Sequence, residues 1–300
     1  MAVVSGTTAL KTQFSTLKDE VNRWFADNYA GTLSFGDGNQ TYGWGGNEAS
    51  DVFAGQRMES GAMNGLINRC NIGVEIVSSV SGLLTEISGG DIALASVFNA
   101  IESKSDLLTT GRLTIDAAET SILSGGSSVR STNWSSAVDC TFRYTFTDFD
   151  EARYFFNSGG SLSILGSISG YSTSFGFGGQ SMNQIFNVMG TISMNHTETT
   201  QSGSGGFPSA TGYYDLTTSF VSIFSQSGGA PYGTASITVQ ARRSSSGDWV
   251  ELKVTLIPPG GDTIDGTTTI TTNFTKLNSK ALGTAALIIT SPTYSLINAL

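Results

Sequence analysis

The chain has 300 residues, room for one large or two ordinary domains, and its 37 glycines and 78 serines and threonines stand against only 13% charged residues. So few long charged side chains exclude a protein made only of solvated surface helices, while 39% hydrophobic and 10% aromatic residues exclude a disordered Gly/Ser linker. A balance of 15 basic against 24 acidic residues, net -9, argues against a surface that tracks phosphates and so against nucleic acid as a partner.

In the first third the apolar residues have helical period. Leu10, Phe14, Leu17, Val21, Trp24 and Phe25 recur at steps of four and three and lay one stripe between Thr7 or Thr8 as N-cap and Asn28. The stripe suits packing inside its own module equally with an oligomer seam, where each large side chain buried contributes about 1.5 to 3 kcal/mol before ordering costs. A Gly-rich loop from Gly31 to Gly46 follows, carrying Tyr42 and Trp44. Helical spacing returns at Met63, Leu66, Ile67 and Cys70 behind Ser60, then over Gly73 to Ile87, then at Ile92, Leu94, Val97, Phe98 and Ile101 behind Asp91. Residues 1–123 are therefore expected to form a helical docking or oligomerisation module, with Ser124 to Ser128 opening a Gly/Ser linker over 124–133.

Beyond Trp134 the period changes to two. Cys140, Phe142, Tyr144 and Phe146 alternate with Thr141, Arg143, Thr145 and Thr147, a half-buried strand with an aromatic face. Further strands are expected at Ser161 to Ser169, Gly190 to Asn195, Thr217 to Phe224, Thr234 to Arg242, Trp249 to Leu256 and Thr267 to Phe274. Two short helices interrupt them. One starts at Asp148 as N-cap, with Asp150 and Glu151 in the positive first turn, and stops at Asn157, Ser158, Gly159 and Gly160; the other covers Gln180 to Met189. The fold class predicted is α+β: a helical N-terminal module, then an antiparallel β-sandwich over 134–278 with two inserted helices, then a C-terminal tail over 279–300.

The segment Phe149-Asp150-Glu151-Ala152-Arg153-Tyr154-Phe155-Phe156-Asn157-Ser158-Gly159-Gly160, flanked by the aromatic strand before it and by a Gly-rich strand and the Asn183 to Phe186 helix after it, resembles a motif of virion structural proteins of tailed bacteriophages. Tyr42-Gly43-Trp44-Gly45 and Met63 to Asn68 look like the loop and second helix of that group's N-terminal module. The resemblance spans most of residues 5–275 and implies a non-enzymatic particle component of the tail, neck or fibre apparatus. It implies a homo-oligomer contacting other virion proteins, located in the virion after assembly in the host cytoplasm. It brings no catalytic residue, so Asp148, Arg153, Tyr154, Phe155, Phe156, Asn157, Gly159 and Gly160 read as a structural motif.

Candidate chemistry is sparse. His196 is the sole imidazole and sits in no nucleophile context. Asp148, Asp150 and Glu151 fit a helix start better than a glycosidase pair. The turns at Asp37-Gly38-Asn39 and Gly260 to Asp265 lack the ligand count of a calcium loop, and Phe175 to Gly179 lacks the Lys-Ser/Thr of a phosphate loop. Cys70 and Cys140 allow no disulfide framework and no zinc spacing. No catalytic, metal or cofactor site is expected. Tyr171, Phe175, Phe177, Tyr213, Tyr214 and Tyr232 offer a stacking platform for a cell-surface glycan, against the alternative that they fill a core or a subunit contact. A receptor-binding tail protein, a capsid decoration protein and a tail-associated glycan hydrolase are the alternative functions. Residues 2 to 10 lack the flank and apolar run of a signal peptide, and no apolar run reaches bilayer length, so no membrane role is expected.

Overall fold

The structure, a computed structural model, describes residues 11–27, 43–50, 60–89, 95–172, 178–228 and 234–300. In chain order the elements are α1 (Lys11–Phe25), α2 (Ser60–Ile76), α3 (Ala95–Gly111), β1 (Thr120–Arg130), β2 (Val138–Thr145), α4 (Phe149–Asn157), β3 (Ser161–Ser169), α5 (Gly178–Met189), β4 (Ile192–Met194), β5 (Thr199–Gln201), β6 (Phe207–Pro208), β7 (Val221–Ser227), β8 (Ser236–Arg243), β9 (Trp249–Ile257), β10 (Thr267–Leu277), β11 (Lys280–Leu282), β12 (Ala285–Leu287) and β13 (Thr293–Asn298). A helical N-terminal region is thus followed by antiparallel sheets.

The chain separates into two units that are not consecutive in sequence. The first is Met1–Ser121, Arg153–Gly159 and Leu277–Thr290; the second is Ile122–Ala152, Gly160–Lys276 and Ser291–Leu300. Three expected boundaries are corrected by this. Residues 124–133 are no linker, because Ser124 to Arg130 lie inside β1. The physical reason is close approach. A Cβ on Gly125 would overlap the Tyr144 hydroxyl, and one on Gly126, at φ +105°, would overlap the Tyr294 ring, so the glycines serve packing and not flexibility. Residues 279–300 are no tail, since they supply the β11–β12 hairpin to the first unit and edge strand β13 to the second. The helical module extends beyond 1–123 to take in the end of α4.

In the first unit α1, α2 and α3 pack on one another. Phe14, Leu17, Val21, Trp24 and Phe25 are each 5% exposed or less, which corrects the seam reading of the α1 stripe: these side chains are core. Leu10, Thr7 and Thr8 lie outside the described residues. Trp24 meets Trp44 edge-on, with ring centroids 5.4 Å apart, and donates from Nε1 to Ser105 Oγ at 2.9 Å; Trp44 Nε1 donates to Arg112 O at 3.1 Å. Two buried indoles thus keep their hydrogen bonds. At Gly73 an added Cβ would sit 2.8 Å from Leu108 Cδ1, so glycine sets the close approach of α2 to α3.

The helix expected over Gly73 to Ile87 is also corrected. Helix α2 runs on to Ile76, and residues 78–89 carry no regular element. Two asparagines of α2 explain why. Asn71 donates to Leu84 O at 2.9 Å and accepts from Leu84 N at 2.7 Å; Asn64 does the same to Ile87, at 3.0 and 2.9 Å. A carboxamide carries one donor group and one acceptor and so substitutes for a neighbouring strand. Asn22 treats Ala49 likewise, at 3.2 and 2.7 Å, and Asn47 bridges Thr284 O and Ala286 N in the β11–β12 hairpin at 2.8 and 2.6 Å.

The second unit holds two larger sheets, ordered β1-β10-β3-β4-β5 and β13-β2-β9-β8-β7-β6. Strand β3 has its expected bounds, and β2, β4, β7, β8, β9 and β10 fall within a few residues of theirs. Strands β1, β5, β6, β11, β12 and β13 are additions that periodicity does not reveal; most are too short to show alternation, and β1 reads as a Gly/Ser run. Tyr144 of β2 and Phe274 of β10 meet edge-on with centroids 6.1 Å apart, a ring contact from one sheet to the other. On β3 a Cβ at Gly166 would overlap the Phe186 ring of α5, which seats that helix on its sheet.

Candidate functional site

The motif over 148–160 is built from helix α4 and its two ends. Asp148 caps the start, its Oδ1 accepting from Glu151 N at 2.9 Å. One turn on, Arg153 Nη1 pairs with Asp27 Oδ2 at 2.6 Å, both side chains being less than a tenth exposed, and its guanidinium lies 5.3 Å from the Tyr154 ring centre. Asn157, fully buried, donates from Nδ2 to Gly43 O at 2.9 Å. The Tyr154 ring closes over Gly45, where a Cβ would overlap it. Phe155 and Phe156 are buried and meet edge-on at 5.0 Å. The chain leaves the helix at Gly159, with φ +82°, where a Cβ would come within 2.9 Å of Ile115. Within the first unit, Arg153 and Asn157 therefore hold Asp27 and Gly43, the residues that flank segment 28–42. Arg153, Asn157 and Ser158 of the motif are thus used in binding this chain to itself.

A second constellation escapes sequence reading. Glu251 on β9 is 1% exposed and stands in register with Arg143 on β2 and Arg242 on β8. Its Oε1 accepts from Arg143 Nε and Nη2 at 3.0 and 2.6 Å, and its Oε2 from Arg242 Nε at 2.7 Å. Arg143 stacks 4.4 Å from the Trp249 ring centre and Arg242 4.4 Å from that of Phe220. Arg143 is 108 residues from Glu251 and Arg242 nine, and strand register brings the three together.

The remaining candidates take structural places. His196 lies in the turn between β4 and β5, where Asn195 Oδ1 accepts from Thr197 N and Glu198 N at 2.8 and 2.9 Å. Tyr213 is fully buried and donates its hydroxyl to Gly247 O at 3.1 Å, which corrects its place in an exposed platform; Phe175, Phe177 and Tyr232 lie outside the described residues. Asp265 Oδ2 accepts from Ser172 N at 2.6 Å, and Asp37 to Asn39 lie outside the described residues. Burial pushes the Cys70 and Cys140 thiols up to about 12 each, so neither is a thiolate at neutral pH. Among the described residues no group of three His, Cys, Asp or Glu side chains is placed to hold a metal ion, and no helix is long and apolar enough to cross a membrane. Between α2, α3 and Leu84 lies a cleft of about 190 Å³ lined by Ile67, Val97 and Ile101 among others. It falls short of the roughly 300 Å³ at which small-molecule pockets begin.

Compared with known proteins, the chain matches no family model, no curated protein and no solved structure.

Proposed function

We propose that the chain is a non-enzymatic structural component of a tailed-phage virion, in its tail, neck or fibre apparatus, where it assembles as a homo-oligomer beside other virion proteins. The reading starts from the resemblance of the Phe149 to Gly160 motif to such proteins. The observation that carries it is the clasp: Arg153 on Asp27 and Asn157 on Gly43 give the motif the place of an architectural joint. In the same reading the two larger sheets stack as a sandwich, supported by the Tyr144–Phe274 contact. The burial of Tyr213 removes one of the six rings of the alternative glycan platform.

Quantitative mass spectrometry of purified particles tests the proposal. A fixed copy number matching a ring or fibre supports it. Hundreds of copies per particle move the chain to the capsid surface as a decoration protein and overturn the tail assignment. Absence from particles overturns the virion reading altogether.

A further inference from the structure

The outer face of the sheet β13-β2-β9-β8-β7-β6 carries more hydrogen-bonding capacity than the sheet itself uses. On β9 Val250, Leu252 and Val254 turn inward and are buried, so Trp249, Glu251 and Lys253 share the opposite face with Arg143 on β2 and Arg242 on β8. Glu251 is 1% exposed, whereas the two arginine side chains beside it are each one-third exposed.

Two guanidinia have more donors than one carboxylate can take. Glu251 accepts from Nε and Nη2 of Arg143 and from Nε of Arg242. Nη1 of Arg143 and both Nη atoms of Arg242 keep no partner among the described residues, and none of these nitrogens is buried. Their positions are set in advance. Arg143 lies 4.4 Å from the Trp249 ring centre and Arg242 4.4 Å from that of Phe220, so stacking and Glu251 have already removed the side-chain freedom that binding would otherwise cost.

Charge selects the kind of ligand. The two arginines exceed Glu251 by one positive charge, and two further acids of this region are engaged elsewhere. Asp139 pairs with Lys253 at 3.4 Å, and Asp248 accepts from the hydroxyls of Ser244 and Ser246. A surplus of one suits a monoanion, while a dianion would bring like charge back against Glu251. These guanidinia already hold one carboxylate. Around them the register places Ser295 beside Arg143, Thr145 beside Trp249 and Gln240 beside Lys253, uncharged groups that both donate and accept, as the hydroxyls of a sugar require.

We infer that the exposed Arg143/Arg242 pair is a binding site for the carboxylate of an acidic sugar of the uronic acid class. The carboxylate meets the unpartnered N–H groups in charge-assisted hydrogen bonds, and the sugar hydroxyls meet the polar rows on either side. The inference goes beyond the virion reading and is measured on the purified chain, so either can fail without the other.

An NMR titration of the full chain with sodium glucuronate tests it, with glucose and inorganic phosphate as parallel probes. The titration is run at about 0.15 M salt, where a Debye length of about 8 Å screens the net charge of the chain. Glucuronate should saturably shift the side-chain Nε–H signals of Arg143 and Arg242 and the indole N–H signal of Trp249, and glucose should leave them in place. Arg242→Gln should weaken binding about tenfold, and Arg242→Lys should weaken it as well, because an ammonium keeps the charge but not the planar fork. The wild-type shifts give a reading free of any folding defect in the variants. Absence of a saturable shift with glucuronate overturns the inference. So does an equal response to glucose, tighter binding of phosphate, or unchanged affinity in Arg242→Gln.

Discussion

The two units meet the same demand, a partner for every buried backbone group, by different means. In the sheet unit, strands pair main chain to main chain in long registers, such as the eight-residue run of β2 on β9 from Val138↔Leu256 to Thr145↔Trp249. Side chains are then free for packing on one face and for the Arg143–Glu251–Arg242 ladder between strands. In the helical unit, irregular segments at 47–50 and 78–89 have few such partners, and the carboxamides of Asn22, Asn47, Asn64 and Asn71 take the place of a strand. Sheet pairing is cooperative along a ladder, whereas each asparagine clamp holds one point. The helical unit should therefore be the more sensitive to single polar substitutions.

The largest expected effect lies in that unit's core. Replacing Trp24 by Ala removes a buried indole and its bond to Ser105, and should cost about 3–5 kcal/mol in denaturant unfolding followed by tryptophan fluorescence. If the β-sheet circular dichroism of the variant falls at the same denaturant concentration as the fluorescence, the two units unfold as one and the contrast is structural only. Next comes Asn71→Ala, which leaves the N–H and C=O of Leu84 without their partner and should cost about 2–4 kcal/mol. Equal stability of variant and wild type would remove the clamp from the account of this unit.

Glu251→Gln, its counterpart in the sheet unit, should cost less, about 1–3 kcal/mol. The carboxylate is buried, but both guanidinia are one-third exposed, so water takes up part of what the pair loses. A loss larger than that of Asn71→Ala would reverse the proposed order of sensitivity. The smallest effect is a pH dependence in the turn before β9. Hydrogen bonds from Ser244 Oγ and Ser246 Oγ hold the Asp248 carboxyl below its ordinary value of 3.8. Its contribution to stability is complete above that value and is lost as pH falls through the lowered one. Asp248→Asn should therefore differ from wild type in thermal melts at about pH 5 and converge on it in strong acid.

Legibility divided along the same line. Strands β2, β3, β8 and β9 stand out because an alternating pattern is imposed by a sheet with one buried face, and Cys140, Phe142 and Tyr144 are indeed fully buried while Arg143 and Thr145 are not. The α1 stripe is equally plain, but a stripe says only that one face is covered, and Phe14 to Phe25 turn out to be covered by their own unit. Beyond Ile76 the apolar residues keep a helical spacing that the chain does not use. Asn64 and Asn71, seven residues apart on α2, capture Leu84 and Ile87 in irregular backbone, and nothing in the apolar pattern reports that bond. Strand β1 fails for the opposite reason: Ser-Gly-Gly-Ser-Ser is the composition of a linker, and only the rings of Tyr144 and Tyr294 make its glycines a packing requirement.

Elements whose cause is local can be read from the residues alone. These include the helical start, the switch to period two after Trp134, the Asp148 cap and the Gly159 stop, each set by residues within a turn or a strand of one another. Composition, with 13% charged residues among many serines and threonines, likewise points to a polar and weakly charged surface. Folding in three dimensions sets where the chain passes from one unit to the other, that residues 277–290 return to the helices while 291–300 join a sheet, and that Arg153 and Asn157 serve as a clasp on Asp27 and Gly43. Those outcomes depend on groups more than a hundred residues apart, where the bond exists only once both segments have folded, so no local pattern carries its signature.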